Sequence, residues 1–364
     1  MSAVVQIQIG RKDLHAVRLV TLPLPEAAEG EVVVAVDRFA LTANNVSYAV
    51  TGDLIGYWGF FPVDAEWGLV PVWGYGTVIA SGCAGLEVGE RLYGFFPMAS
   101  HVVLRPGKVR PDSFIDFAEH RRSLPGLYNR YNRLGGEPPE SAAMGDERCL
   151  LFPLFATSWI LSDYLEDNAM FGATRVLIGS ASSKTAFGLA WLLARAPDRT
   201  VEIVGLTSPG NVAFTQSLGI YDQVLTYDRV EALETGVPTA FVDMSGSGTV
   251  IRAIDDHLGE SVVLSSIVGA THWDAKRHKG ETRGATPTFF FAPAQFGKRE
   301  QDWGPGVAMV RAQAASARIA AEARVLLEVR HSHGPEAVRD AWLEMLDGRT
   351  PPSTGVMLSV GEVP

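Results

Sequence analysis

The chain has 364 residues, a formal net charge of -10, 47% hydrophobic residues and 20% charged residues. Such a chain can bury the core of one large domain or two ordinary ones, and its acidic balance argues against nucleic acid or an anionic membrane surface as a partner. With no apolar run near the roughly 18 residues of a spanning helix, no basic and apolar leader at Met1–Gln6, and only Cys83 and Cys149 as thiols, a reduced, cytoplasmic protein is expected.

The first part of the chain reads as β-rich. Residues 31–37 form a β-branched run after the Gly30 turn, and residues 76–82 and 100–104 are further short runs bounded by turn residues. Residues 85–94 read as a turn feeding another strand. Residues 111–148 change character: Arg121, Arg122, Arg130 and Arg133 interleave with Tyr128 and Tyr131, and Gly135-Gly136 and Pro138-Pro139 follow. So long a connection is either a functional lid or a solvated surface insert. If it is a lid, its arginines suit a carboxylate or phosphate.

From about 150 to 300, strand candidates at 176–178, 201–206, 223–226, 240–243, 261–266 and 288–291 alternate with helical stretches, the pattern of a doubly wound parallel sheet. Residues 308–327 are alanine-rich and read as a long helix. Residues 335–346 read as another helix, and residues 355–360 as a closing strand.

The most informative segment is Thr174–Ala190. The apolar strand Val176-Leu177-Ile178 runs into Gly179-Ser180-Ala181-Ser182-Ser183-Lys184-Thr185, and a helix follows with apolar Ala186, Leu189, Ala190, Leu192 and Leu193. A strand, tight turn and helix start is where a βαβ unit holds a dinucleotide pyrophosphate. Glycines normally line that turn so that backbone can approach phosphate, whereas Ser180, Ser183 and Ala186 occupy the expected positions here. Hydroxyls of Ser180, Ser182, Ser183 and Thr185, the backbone around Ala181 and the Lys184 ammonium are the groups available to an anion. The alternative is a Ser/Thr turn that simply caps the helix.

The ordered set of segments resembles the medium-chain dehydrogenase/reductase superfamily. Residues 31–41 are similar to its early strand, and Trp73-Gly74-Tyr75-Gly76-Thr77-Val78 with Val88–Gly94 to its Gly-rich segment and the Gly-Asp-Arg-Val that follows. Phe155–Ile160 resembles its Thr-Ala-Trp helix start, Leu218-Gly219 and Val224–Tyr227 the end of its second Rossmann unit, and Asp347–Leu358 its C-terminal strand. The unusual turn points to an offshoot catalogued as a domain of unknown function. The resemblance implies an α/β fold made of a GroES-like β-rich domain (1–150, with 111–148 as insert or lid), a Rossmann domain (151–310) and a C-terminal return (311–364). The zinc-binding Gly-His-Glu position reads Trp73-Gly74-Tyr75, the early cysteine position falls in Thr42–Val46, and no Cys/His pair has ligand spacing. The zinc-independent branch, similar to quinone oxidoreductases and enoyl reductases, is therefore expected, with no metal.

The second Rossmann strand ends in Thr207-Ser208-Pro209-Gly210-Asn211 with no acid, so Thr207, Ser208 and Asn211 suit NADP(H) better than NAD(H). An ordinary Ser/Thr/Pro turn explains the same residues. The resemblance puts Tyr227 on the adenine side, Thr157 near the carboxamide and Asn44, Asn45 and Tyr48 facing the nicotinamide, with Tyr48 as proton donor and Asn45 orienting a small-molecule carbonyl. A turn at Asn44-Asn45, a core position for Tyr48 and a helix N-cap at Thr157 are the alternatives. Tyr57, Trp58, Phe60, Phe61, Trp67 and Trp73 form either an aromatic pocket or a satellite core. The 287–291 strand is the expected homodimer edge. Two readings stay open: an NADPH-dependent reductase of a conjugated or simple carbonyl, and a non-redox protein on the same fold whose dinucleotide site has lapsed or been repurposed.

Overall fold

The computed structural model describes residues 3–136, 144–269 and 281–361. The chain divides into two units, residues 1–150 with 327–364, and residues 151–326.

The first unit is built on β-sheet. Strand Val32–Leu41 is its spine. It pairs antiparallel with Pro71–Ser81 on one side and with the returning Thr354–Ser359 on the other, where Val356 faces Leu41. Val32, Val33, Val34, Phe39, Ala40 and Leu41 are all buried, as the β-branched run in the sequence requires. The nine-stranded sheet continues through Arg91–Pro97 to Arg130–Arg133, Ser113–Asp116 and Pro106–Gly107. Helix Pro335–Leu346 closes the return, with fully buried Trp342 donating its indole N–H to the Leu14 carbonyl at 2.9 Å.

Two expectations are corrected here. The return begins at 327 rather than 311, because helix Val307–Ala323 buries Ala308, Ala312, Ser316, Ile319, Ala320 and Ala323 within the second unit. The 111–148 segment is not a detached lid over the residues described. Its strands Ser113–Asp116 and Arg130–Arg133 pair with each other and extend the main sheet. Arg121 is sealed beside Asp116 at 3.1 Å, both side chains 1% exposed. Arg130 pairs with Asp112, and Arg133 makes a bidentate contact with Glu90. Arg133 thus ties the segment to the strand before it, Arg130 pairs within the segment, and the sealed Arg121 is not offered to a substrate anion. Residues 137–143 lie outside the described residues.

The second unit carries a six-stranded parallel sheet in the order Gln223–Thr226, Glu202–Thr207, Arg175–Gly179, Thr239–Asp243, Val262–Ile267, Thr288–Phe289. The first strand in sequence lies inside the sheet, and the chain then winds outward in both directions. The switch point falls between Arg175–Gly179 and Thr239–Asp243, where doubly wound sheets bind their ligands. Val176, Leu177 and Ile178 are fully buried, as a central strand covered on both faces demands, and each stabilises the unit by roughly 1.5–3 kcal/mol. Of the expected dimer edge, Thr288–Phe289 is the strand, pairing with Ser266–Ile267 at the sheet margin with Phe289 45% exposed.

Candidate functional site

The Gly179 turn sits at the carboxyl end of the central strand. Gly179 is required there by close approach: a Cβ on it would meet the Asp243 Oδ1 at 2.5 Å. Ser180 follows at φ +53°, a left-handed conformation that a glycine would adopt without strain. Its backbone N–H donates to the Tyr227 hydroxyl at 3.0 Å. Ala181 N–H donates to the Leu206 carbonyl at 2.9 Å, and its own carbonyl accepts the Tyr221 hydroxyl at 2.9 Å. Tyr221 and Tyr227, on either side of strand Gln223–Thr226, thus pin the turn.

Ser183 is the N-cap of helix Lys184–Ala194, its hydroxyl accepting from the Ala186 N–H at 3.3 Å. For this one residue the capping explanation accounts for the contact. Ser182 differs. It is buried, and its hydroxyl oxygen accepts from Thr207 Oγ1 at 3.4 Å and Asn211 Nδ2 at 3.2 Å. The structure therefore brings the turn and the end of the second strand into one polar cluster, with half-buried Ser208 beside it. Thr185 opens the helix and its carbonyl accepts the Ser158 hydroxyl. Partly buried Lys184 stands in the first turn, where desolvation brings its ammonium down to about 8. The first N–H groups of this helix have no intrahelical acceptors.

Sequence reading missed Asp243. Its fully buried carboxylate accepts from the Ser245 N–H (2.8 Å), the Ser245 hydroxyl (2.6 Å) and the Gly246 N–H (2.9 Å). Burial outweighs these three donors and holds the group up at about 6. The available signal is an acid at the end of the strand candidate 240–243, with Ser245-Gly246-Ser247-Gly248 starting two residues on. Thr157 lies in the middle of helix Asp146–Asp167, its hydroxyl donating to the Pro153 carbonyl at 2.9 Å, so it is not an N-cap.

In the first unit, helix Ala43–Val50 carries Asn44, Asn45 and Tyr48. Asn45 is buried and engaged at both ends: its Oδ1 accepts from the Thr42 N–H at 2.7 Å, and its Nδ2 donates to the Pro71 carbonyl at 2.9 Å. It anchors the helix start through its carbonyl oxygen and one of its two amide N–H groups. Tyr48 is buried with Tyr57, Phe60, Phe61, Leu69, Phe95 and Tyr128, and Trp73 packs against them. The Tyr57 and Tyr128 hydroxyls are 2.9 Å apart. Burial pushes the Tyr48 phenol well above its ordinary value, opposed by the side chains of Trp73 and Asn44, so it is a protonated acid at neutral pH. Trp67 lies apart from this group, beneath Arg18, and Trp58 packs over Gly52 and Gly68. The cluster's missed member is Tyr128, which comes from the segment read as an insert.

Among the described residues, no group of three His, Cys, Asp or Glu side chains is placed to hold a metal ion, and no helix is long and apolar enough to cross a membrane. His331 pairs with Asp146 at 2.7 Å, and His333 with the Ser359 hydroxyl.

A β-rich unit joined to a doubly wound parallel unit, as the fold expectation had it, is also the architecture of the solved structures that the chain resembles. CurA from Vibrio vulnificus, in complex with NADPH, matches at 13% identity over 98% of this chain and 99% of that one, with a TM-score of 0.62. The yhdH oxidoreductase from Salmonella enterica in complex with NADP matches at 12% over 99% of each chain, TM-score 0.55. The quinone oxidoreductase from Coxiella burnetii matches at 17% over 99% and 100%, TM-score 0.51. No curated protein matches the sequence. The chain belongs to the family described as "Protein of unknown function (DUF2855)", whose pattern matches residues 39–351.

Proposed function

We propose that the protein is an NADPH-dependent, zinc-independent reductase of a conjugated or simple carbonyl compound. The observation that carries this reading is the cluster of Ser182, Thr207 and Asn211, which joins the turn after the central strand to the end of the second strand, with Lys184 opening the helix that follows the turn. It offers hydroxyls, an amide and a cation where a dinucleotide phosphate needs donors, and no carboxylate stands among residues 207–211 to reject a 2′-phosphate. NADPH and NADP complexes among the structural neighbours favour the same cofactor. In this reading Tyr227 and Thr157 flank the nucleotide, and the Ser180–Thr185 turn holds its pyrophosphate. The bound dinucleotide supplies hydride. Tyr48, arriving protonated, gives the proton, with Asn44 beside it, while Asn45 positions the helix that carries both.

A soluble cytoplasmic homodimer is part of the proposal, with Thr288–Phe289 as the edge through which two copies pair. Titration with NADPH and NADH, followed by melting temperature and tryptophan fluorescence, tests it. NADPH is expected to stabilise the protein at lower concentration than NADH. If neither stabilises it at millimolar levels, the proposal fails. The engagement of Ser183 as a cap and of the Ser180 N–H by Tyr227 favours the second reading, a repurposed non-redox site. A co-purifying ligand other than a nicotinamide in native mass spectrometry would support it.

A further inference from the structure

Trp73 presents an anomaly at the edge of the tyrosine cluster. Its indole Nε1 is buried and has no hydrogen-bond partner. Buried donors are nearly always satisfied, so an unsatisfied one calls for an explanation. The ring is fixed in place. It stacks on Tyr93 with centroids 5.6 Å apart and planes 21° apart, and the Arg148 guanidinium covers Tyr93 at 3.8 Å. Trp73 and Tyr48 pack against the same two rings, Phe95 at 5.2 and 5.6 Å and Tyr128 at 6.2 and 6.3 Å. Trp73 and Asn44 are half-buried while Tyr48 is buried, and the side chains of both act on the Tyr48 hydroxyl.

We propose that Trp73 is a positioning residue whose indole N–H holds the phenolate oxygen left on Tyr48 once that residue has given up its proton. The inference rests on the reductase reading above. A conjugated carbonyl that has taken hydride from the nicotinamide carries an electron pair at its α-carbon. The Tyr48 O–H bond breaks, a C–H bond forms there, and the phenolate later regains a proton from solvent. An enolate carbon is far more basic than a phenolate, so a phenol with a raised ionisation point can still deliver this proton. What it needs is a donor for the charge that develops in a dry site, and a donor that makes no bond in the resting state is worth most at that moment. The Trp73 N–H already acts on the Tyr48 oxygen in the sense that eases its ionisation, yet falls short of hydrogen-bond geometry. Such contacts tighten as charge forms.

The test uses the full chain with 3,5-difluorotyrosine at position 48, whose phenol is more acidic than tyrosine's and so offsets part of the upward push of burial, and follows phenolate absorbance in the absence of nucleotide. Trp73→Phe should raise the midpoint by about one pH unit, the equivalent of one charge-assisted hydrogen bond. Benzothienylalanine at position 73, which keeps the shape and lacks the N–H, should do the same and serves if Trp73→Phe does not fold. With NADPH and 2-cyclohexen-1-one as probe, Trp73→Phe should lower kcat about tenfold, leave KM and NADPH affinity unchanged, and enlarge the solvent deuterium isotope effect. A midpoint that neither replacement moves overturns the proposal, whatever the turnover. A wild-type chain that binds NADPH but reduces no enone, while the midpoint still moves, overturns the reductase reading and with it the catalytic use of this contact.

Discussion

If the Ser180–Thr185 turn holds a phosphate of NADPH as proposed, Lys184 should make the affinity depend on pH in a direction that can be worked out beforehand. In the free protein desolvation sets its ammonium at about 8 rather than 10.5. A phosphate beside it favours the charged form and restores a value near 10.5. Binding above pH 8 must therefore take up a proton, and affinity falls as the lysine neutralises. The ratio of free to bound protonation gives a loss of about tenfold in affinity from pH 7 to pH 9. Over that range the phosphate, with its second ionisation near 6, is already fully charged. Lys184→Met should weaken binding at pH 7 by roughly ten- to a hundredfold, the loss of one charge-assisted hydrogen bond, and should flatten the profile. Fluorescence titration or calorimetry at pH 7, 8 and 9 reads both effects. An equal pH slope in the wild type and Lys184→Met would refute the assignment of Lys184 to the phosphate. The same shift has a signature without ligand. Between about 8 and 10.5 the unfolded chain binds more protons than the folded one, so this group's contribution to stability rises with pH and is absent in Lys184→Met.

Asp243 has the opposite sign. Its folded value of about 6 lies above the ordinary 3.8, so the folded state holds the proton more tightly and the group favours folding most at acid pH. The stability difference between wild type and Asp243→Asn should fall by up to about 3 kcal/mol from pH 4 to pH 7 in urea titrations; a pH-independent difference counts against a buried carboxylate. Gly179→Ala should cost about 1–3 kcal/mol by overpacking, because the new Cβ would stand 2.5 Å from the Asp243 Oδ1; an unchanged denaturation midpoint contradicts that close approach. Arg121→Ala leaves the Asp116 carboxylate sealed without its cation. It should cost about 3–5 kcal/mol in the first unit, and a near-neutral result would mean that the segment is held from elsewhere.

Much of the fold was legible because it depends on periodicity and burial. The runs at 32–36 and 176–178 are apolar on both faces and fall in the middle of sheets, and the alternation of strands and helices from 150 onward points to a doubly wound parallel sheet, though not to its strand order. Ser113–Asp116 and Arg130–Arg133 carry no strand signal in the sequence because each is only four residues long and at least half polar without alternation, and what holds them is pairing with strands distant in the chain. Helix 307–323 was read correctly as a helix but assigned to the wrong unit, since small apolar residues fit any neighbour and only packing decides which.

The site divides along the same line. The sequence by itself determined which groups surround the turn: hydroxyls and one lysine where glycines are usual, no acid after the second strand, and no zinc-ligand spacing. Those are matters of composition at fixed positions along a strand, turn and helix. Only the tertiary structure decided how each group is used. Ser182 meets Thr207 and Asn211, while Ser183 caps a helix. Asn45 is tied to Thr42 and Pro71 and anchors its helix. Tyr48 is kept protonated by burial among rings drawn from three distant segments, with the Trp73 N–H left unmatched beside it. Hydrogen-bond saturation and desolvation depend on distances between residues far apart in the chain, and a linear sequence carries no record of those distances.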